Sequence, residues 1–279
     1  MGAQHLVAPL CVALTIAIGP ARAQPAAQAA AAQVQAQAQA PVSAKTWLER
    51  RAAIEEYLRT GEIVGVEEIP VGVTRPTRCT FAPGGPVAEM TWKPVRPGHR
   101  GGFWESYRNE LAAYELDKLL ALDMVPPTVE KRFKGDLGAA VMWVSPTKTF
   151  RQLGGSPKPP TSEIPRWSRQ VSRAKLFDNL IANIDSNQGN WLVDPAWNVI
   201  LIDHTRSFTT TKQIVHKVQR VDAELWQRML QLTEASLQEA IGQWVGKAEI
   251  RAMIVRRDKM RSEIERKVRQ TSEAAVFIR

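Results

Sequence analysis

Cysteine is almost missing from this 279-residue sequence, which holds only Cys11 and Cys79. Cys11 lies in an apolar N-terminal run expected to be removed, so the mature chain has no internal disulfide and depends on its core. A run long enough to cross a bilayer is also missing. The longest, Leu6 to Ile18, falls short of the roughly 20 residues that a spanning helix needs. Residues 24–43 (QPAAQAAAAQVQAQAQAPVS) lack charge, aromatics and almost every large aliphatic side chain. Such a stretch cannot bury enough surface to offset its ordering entropy, and it reads as a flexible linker. There is no internal repeat and no nucleic-acid-binding motif, so the net charge of +9 does not point to DNA or RNA.

What is present organises the chain. The apolar run is followed by Ala21-Arg22-Ala23, a small-x-small pattern. Residues 1–23 therefore read as a signal peptide cleaved after Ala23, although the segment before the run has no Lys or Arg. The expectation is an exported protein, periplasmic or secreted. Residues 44–279 read as one folded domain, and 44% hydrophobic against 23% charged residues is enough to bury a sizeable core in two lobes. Lys and Arg number nine against four acids between Gly246 and Gln270. This basic helix is expected either to be a solvated face with i,i+4 pairs or to make a weak contact with anionic membrane.

The periodicities give an order of elements. Ser43 reads as the cap of a helix over 44–59. Strands follow over 62–71, 77–81 and 87–95, with Ala82-Pro83-Gly84-Gly85-Pro86 as a turn. A helix over 103–122 places Leu111, Tyr114, Leu119 and Leu122 on one face. Strands over 128–133 and 137–144, a loop over 145–165 and a helix over 166–184 come next. A hairpin of 190–193 and 199–202 precedes helices over 222–232, 234–245 and 247–269. Trp143, Trp191 and Trp197 read as core. The predicted class is α+β, a bilobal protein-kinase-like fold. Its small β-rich N-lobe with one long helix spans about 44–144, and its mainly helical C-lobe about 145–279.

Phosphoryl transfer asks for few protein groups: a Lys on the phosphates, a Glu holding it, a carboxylate at the attacking hydroxyl, and an Asn and Asp for metal. This sequence has all five in order. Lys93 lies in the third strand and Glu110 on the next helix. Asp185 is followed by Asn190 in a D-x-x-x-x-N spacing, and Asp203 closes the apolar hairpin. The rival readings of Asp185-x-Asn187-x-Gly189-Asn190 are a polar turn or a degenerate calcium loop. The twelfth position is Ala196, where a calcium loop needs a Glu.

Three stretches then carry a resemblance: Phe177-Asp178-Asn179-Leu180-Ile181-Ala182-Asn183-Ile184-Asp185, Gly189-Asn190-Trp191-Leu192-Val193, and Leu201-Ile202-Asp203-His204 with Phe208 beyond. Together they resemble the atypical kinases: phosphatidylinositol 3-/4-kinase-like domains, secretory-pathway kinases of the Golgi casein kinase type, and bacterial HipA-like proteins. The likeness covers about residues 62–210. It implies Asp185 as catalytic carboxylate, Asn190 and Asp203 as metal ligands, and Lys93 on phosphate paired with Glu110. It also implies Gly72 in a Gly-poor nucleotide loop and Met142 to Val144 as the hinge beside adenine, with ATP and Mg²⁺ or Mn²⁺ as cofactors. Two positions depart from the pattern: Ser186 stands where these relatives are usually basic, and Thr205 where typical protein kinases have Gly. The expected function is an exported phosphotransferase acting on a hydroxyl of an unknown protein, lipid or small-molecule acceptor. The alternative is a catalytically silent pseudokinase that binds nucleotide or a protein partner.

Overall fold

The computed structural model describes residues 1–2, 42–70 and 76–279, so the expected signal peptide and most of the linker lie outside the described residues. Residues Pro41–Arg279 form one compact unit. Its first helix, α1 (Arg51–Thr60), starts later than expected. Ser43 caps a turn and not a helix: its Oγ accepts the Lys45 N–H at 3.1 Å and the Asn198 side-chain amide at 3.0 Å. Trp47 is fully buried within that turn region, and Ile54 and Leu58 bury the inner face of α1.

Strands β1 (Ile63–Glu68), β2 (Thr77–Phe81) and β3 (Glu89–Lys93) pair antiparallel. A hairpin of β4 (Gly98–Arg100) and β5 (Phe103–Glu105) then precedes α2 (Arg108–Leu120). Residues 103–105 were expected to be helical. Gly101 and Gly102, both at positive φ, close a tight turn that sends these residues back along β4. On α2, Leu116 and Leu120 bury with Leu111 and Tyr114, while Leu119 is exposed. The helix ends on Ala121 in the left-handed conformation. There the buried Asp117 carboxylate accepts the N–H groups of Met124 and Val125 at 2.8 and 3.0 Å. Strands β6 (Thr128–Phe133) and β7 (Asp136–Met142) complete a five-stranded sheet of order β1-β2-β3-β7-β6.

The second lobe is built on α3 (Ile164–Ile181), α4 (Ala223–Leu230), α5 (Glu234–Ile241) and α6 (Lys247–Gln270). The region expected to be a loop contains a short strand, β8 (Lys148–Thr149), which pairs with β9 (Trp191–Val193). β9 and β10 (Val199–Leu201) form the predicted hairpin. Strand alternation makes this hairpin the seam between the lobes. Leu192 and Ile200 pack into the N-lobe core, while Val193, Val199 and Leu201 pack into the C-lobe core. A hairpin gripped on both faces holds its ends still, and those ends carry Asn190 and Asp203.

Candidate phosphoryl-transfer site

Lys93 is the last residue of β3, and its side chain is 8% exposed. Its Nζ donates to Glu110 Oε1 at 2.7 Å and to Asp203 Oδ1 at 3.0 Å. An ammonium this buried requires charge compensation, and it receives two carboxylates. Burial alone would lower the Lys93 pKa, but Asp203 and Glu110 outweigh it and push the group up. Glu110 lies in the first turn of α2 and is buried. Burial alone would raise its pKa; Lys93 and the buried His204, whose Nδ1 is 3.5 Å from Oε2, bring it down to about 2. The helix is tied to the segment after Asp203 by Asn109 Nδ2, which donates to the carbonyls of Thr205 and Ser207 at 2.8 and 2.9 Å.

The loop from α3 into β9 presents Asp185. Ala182 takes the left-handed conformation at the helix end, and the Asp185 N–H reaches Asn183 Oδ1 at 3.2 Å. Asn190 Nδ2 donates to the Asp185 carbonyl at 2.9 Å, which leaves its Oδ1 as the atom available to a cation. Ile202 N–H bonds to the Asn190 carbonyl at 3.0 Å, so Asn190 and Asp203 emerge from neighbouring strand ends. Asp203 adopts a φ of 64°, unusual for a non-glycine residue. Among the described residues no group of three His, Cys, Asp or Glu gathers to hold a metal. The pair Asn190–Asp203 is an oxygen donor set suited to a hard cation shared with phosphate oxygens.

These residues face one cavity of about 720 Å³ between the lobes. Lys93, Asp185, Asn190 and Asp203 line it on one side, and Met142 and Val144 line it at the hinge. The N–H of Met142 bonds to Pro127 O at 2.9 Å and that of Trp143 to Glu89 O at 3.1 Å, so neither is available to a base edge. Trp143 is not core as expected. It is part of the cavity wall, with the Arg78 guanidinium carbon 4.4 Å from its ring centre. Gly72 lies outside the described residues.

Two features were not legible in the sequence. Ser186 serves as a brace: its hydroxyl donates to the buried Asp178 carboxylate and accepts from Trp191 Nε1 at 2.9 Å. Arg206 enters the cavity, with Nη1 3.2 Å from Asp185 Oδ2. The signal was only the three-residue step from Asp203, and the backbone turn at Asp203 decides where that step points.

The fold is kinase-like, and it brings Lys93, Asp185, Asn190 and Asp203 to one cavity. No protein-family model and no curated protein matches the chain in sequence. Solved structures do match in shape. The crystal structure of the Golgi casein kinase with Mn/ADP bound has a TM-score of 0.62 at 15% identity, covering 82% of this chain and 79% of that one. The structure of hydra Fam20 with sugar has a TM-score of 0.63 at 15% identity, covering 81% and 91%. The chain thus has the fold of the atypical kinases, as its motifs predicted.

Proposed function

We propose that this chain is an ATP-dependent phosphotransferase using Mg²⁺ or Mn²⁺, exported and acting on a hydroxyl acceptor. The carrying observation is Lys93, held at once by Glu110 at 2.7 Å and Asp203 at 3.0 Å, in the cavity that also contains Asp185 and Asn190. Lys93 meets the nucleotide phosphates, and Asn190 and Asp203 hold the cation that neutralises charge on them. Asp185 receives the acceptor proton as the acceptor oxygen bonds to the γ-phosphorus. The bond from that phosphorus to the β–γ bridging oxygen breaks, and its electron pair leaves with ADP. The Mn/ADP of the structurally similar Golgi casein kinase supports the choice of nucleotide and cation. Weak contact of the exposed basic face of α6 with anionic membrane belongs to the same reading. It rests on charge alone, because Ile250, Met253 and Ile264 are buried in the core.

The test is the thermal stability of the purified chain with and without ATP and Mn²⁺, since a ligand bound only by the native state raises stability by mass action. The expected result is a rise in wild type that Asp203→Ala abolishes. No rise in wild type would sink the proposal. The braced Ser186, which brings no cation to Asp185, favours the silent alternative. That alternative predicts the same rise with no phosphate transfer to any acceptor or to water.

A further inference from the structure

The carboxylate of Asp185 is not loose in the cavity. Oδ1 accepts from Asn187 Nδ2 at 3.0 Å, and Oδ2 meets Arg206 Nη1 at 3.2 Å. The guanidinium is fixed from behind. Its Nε and Nη2 lie 2.8 and 2.7 Å from Glu105 Oε1, and the ring centre of Phe103 lies 4.5 Å from Cζ. Glu105 is fully buried, its Oε2 has no hydrogen-bond partner, and Arg100 comes no closer than 4.0 Å. A buried carboxylate in that position needs Arg206 for compensation, so the arginine cannot swing out without stranding it. The fork is thereby immobilised with two nitrogens on Glu105 and the third at the cavity. On the other side of Asp185 no second cation pairs with the carboxylate among the described residues: Ser186 is spent on Asp178 and Trp191, and Arg151 reaches only Asn187, donating to its Oδ1 at 3.0 Å.

We propose that Arg206 is a residue of the transfer site that both orients Asp185 and presents a fixed positive charge to the terminal phosphate of the nucleotide. The inference rests on the phosphotransferase reading above. It assigns to the segment after Asp203 the charge that residue 186 does not supply. Only a planar, multiply donating cation can hold Glu105 and still serve the cavity; a lysine has one charge centre and cannot reach both. The anchor also couples the two halves of the site. Glu105 ends β5 three residues before α2, the helix bearing Glu110, so a shift of that helix pulls on Asp185 through Arg206.

The experiment measures ATP and ADP affinities in the presence of Mn²⁺ for the full chain and for its Arg206→Ala, Arg206→Gln and Arg206→Lys variants. Arg206→Gln retains a donor for Glu105 and reports on charge even if Arg206→Ala does not fold. The expected result is that Arg206→Ala and Arg206→Gln weaken ATP about tenfold, the size of one charge-assisted hydrogen bond, and change ADP by less than about twofold. Arg206→Lys recovers only part of the ATP affinity. Added guanidinium should raise turnover of Arg206→Ala and leave wild type unchanged. Equal weakening of ATP and ADP, or no change in either, overturns the proposal and leaves Arg206 as a brace for the β4–β5 hairpin. Wild type that binds neither nucleotide overturns the phosphotransferase reading itself. Wild type that binds without turning over is still decided by the ATP-to-ADP ratio.

Discussion

At the scale of the residue, the site is a chain of charges that stabilise one another, buried at Lys93 and Glu110 and partly exposed at Asp203 and Asp185. Glu110 is the clearest case, because its pKa falls from an ordinary 4.5 to about 2 in the folded protein. A carboxylate depressed in this way contributes stability that is fully present above its unfolded pKa. That contribution is lost as the pH falls from about 4.5 toward 2, where the folded state too takes up the proton. Urea unfolding of wild type and Glu110→Gln between pH 2 and 6 should therefore converge at the acid end. Above pH 5 wild type should exceed the variant by on the order of 3 kcal/mol, the cost of leaving Lys93 with one buried partner fewer. A constant gap across the whole range would show that the charge of Glu110 does not matter. Lys93 and Asp185–Asn190 were legible as residues because their types and spacings match the chemistry. Arg206 was not, since nothing in a D-x-x-R step says which way the arginine points.

At the scale of the element, α6 shows how a sequence face and a structural face can differ. Its Lys/Arg excess read as a solvated or membrane-facing side, yet Arg256 is completely buried. Its Nε and Nη2 donate to the Leu180 carbonyl at 3.0 and 2.8 Å, and Nη1 donates to the Thr209 and Thr211 carbonyls. It thus caps the C-terminal end of α3, where unpaired carbonyls favour a cation, and ties it to the segment beyond Asp203. Burial lowers its pKa to about 10, still charged at neutral pH. Arg256→Met keeps much of the volume and removes every donor. It should cost about 3 kcal/mol in denaturant unfolding, because buried carbonyls are left unpaired. A loss below about 1 kcal/mol would mean that the carbonyls find other partners. No periodicity distinguishes this arginine from its exposed neighbours; its partners lie 76 and 47 residues away.

At the scale of the whole molecule, the N-terminal turn straps the two lobes together. The Ala44 N–H donates to Asp194 Oδ2 at 2.8 Å, on the turn of the β9–β10 hairpin. Further along, the Lys45 Nζ donates to the Asp123 carbonyl at 2.6 Å, and Tyr114 of α2 donates to Glu55 of α1 at 2.7 Å. Asp194 also accepts the Asn198 N–H at 2.8 Å, so one buried carboxylate serves strap and hairpin alike. Asp194→Ala should lower stability by roughly 2–3 kcal/mol, the cost of two unpaired N–H groups. It should also raise amide exchange in both the strap and the hairpin. Faster exchange in the hairpin alone would show that the strap is held by Trp47 and not by Asp194.

The sequence by itself determined the class of fold and named five residues that the structure gathers at the candidate site. Those features are local: strand and helix periods, a turn-rich loop, an apolar hairpin with polar ends, and residue types that only a few chemistries need at those spacings. The tertiary structure decided the rest. Gly101 and Gly102 turned three expected helical residues into a strand. Long-range partners buried Arg256, made Ser186 a brace, put Trp143 on a cavity wall and aimed Arg206 at Asp185. Each of these depends on what lies across a space that folding creates, and a side chain's partner across that space leaves no periodic mark in the chain.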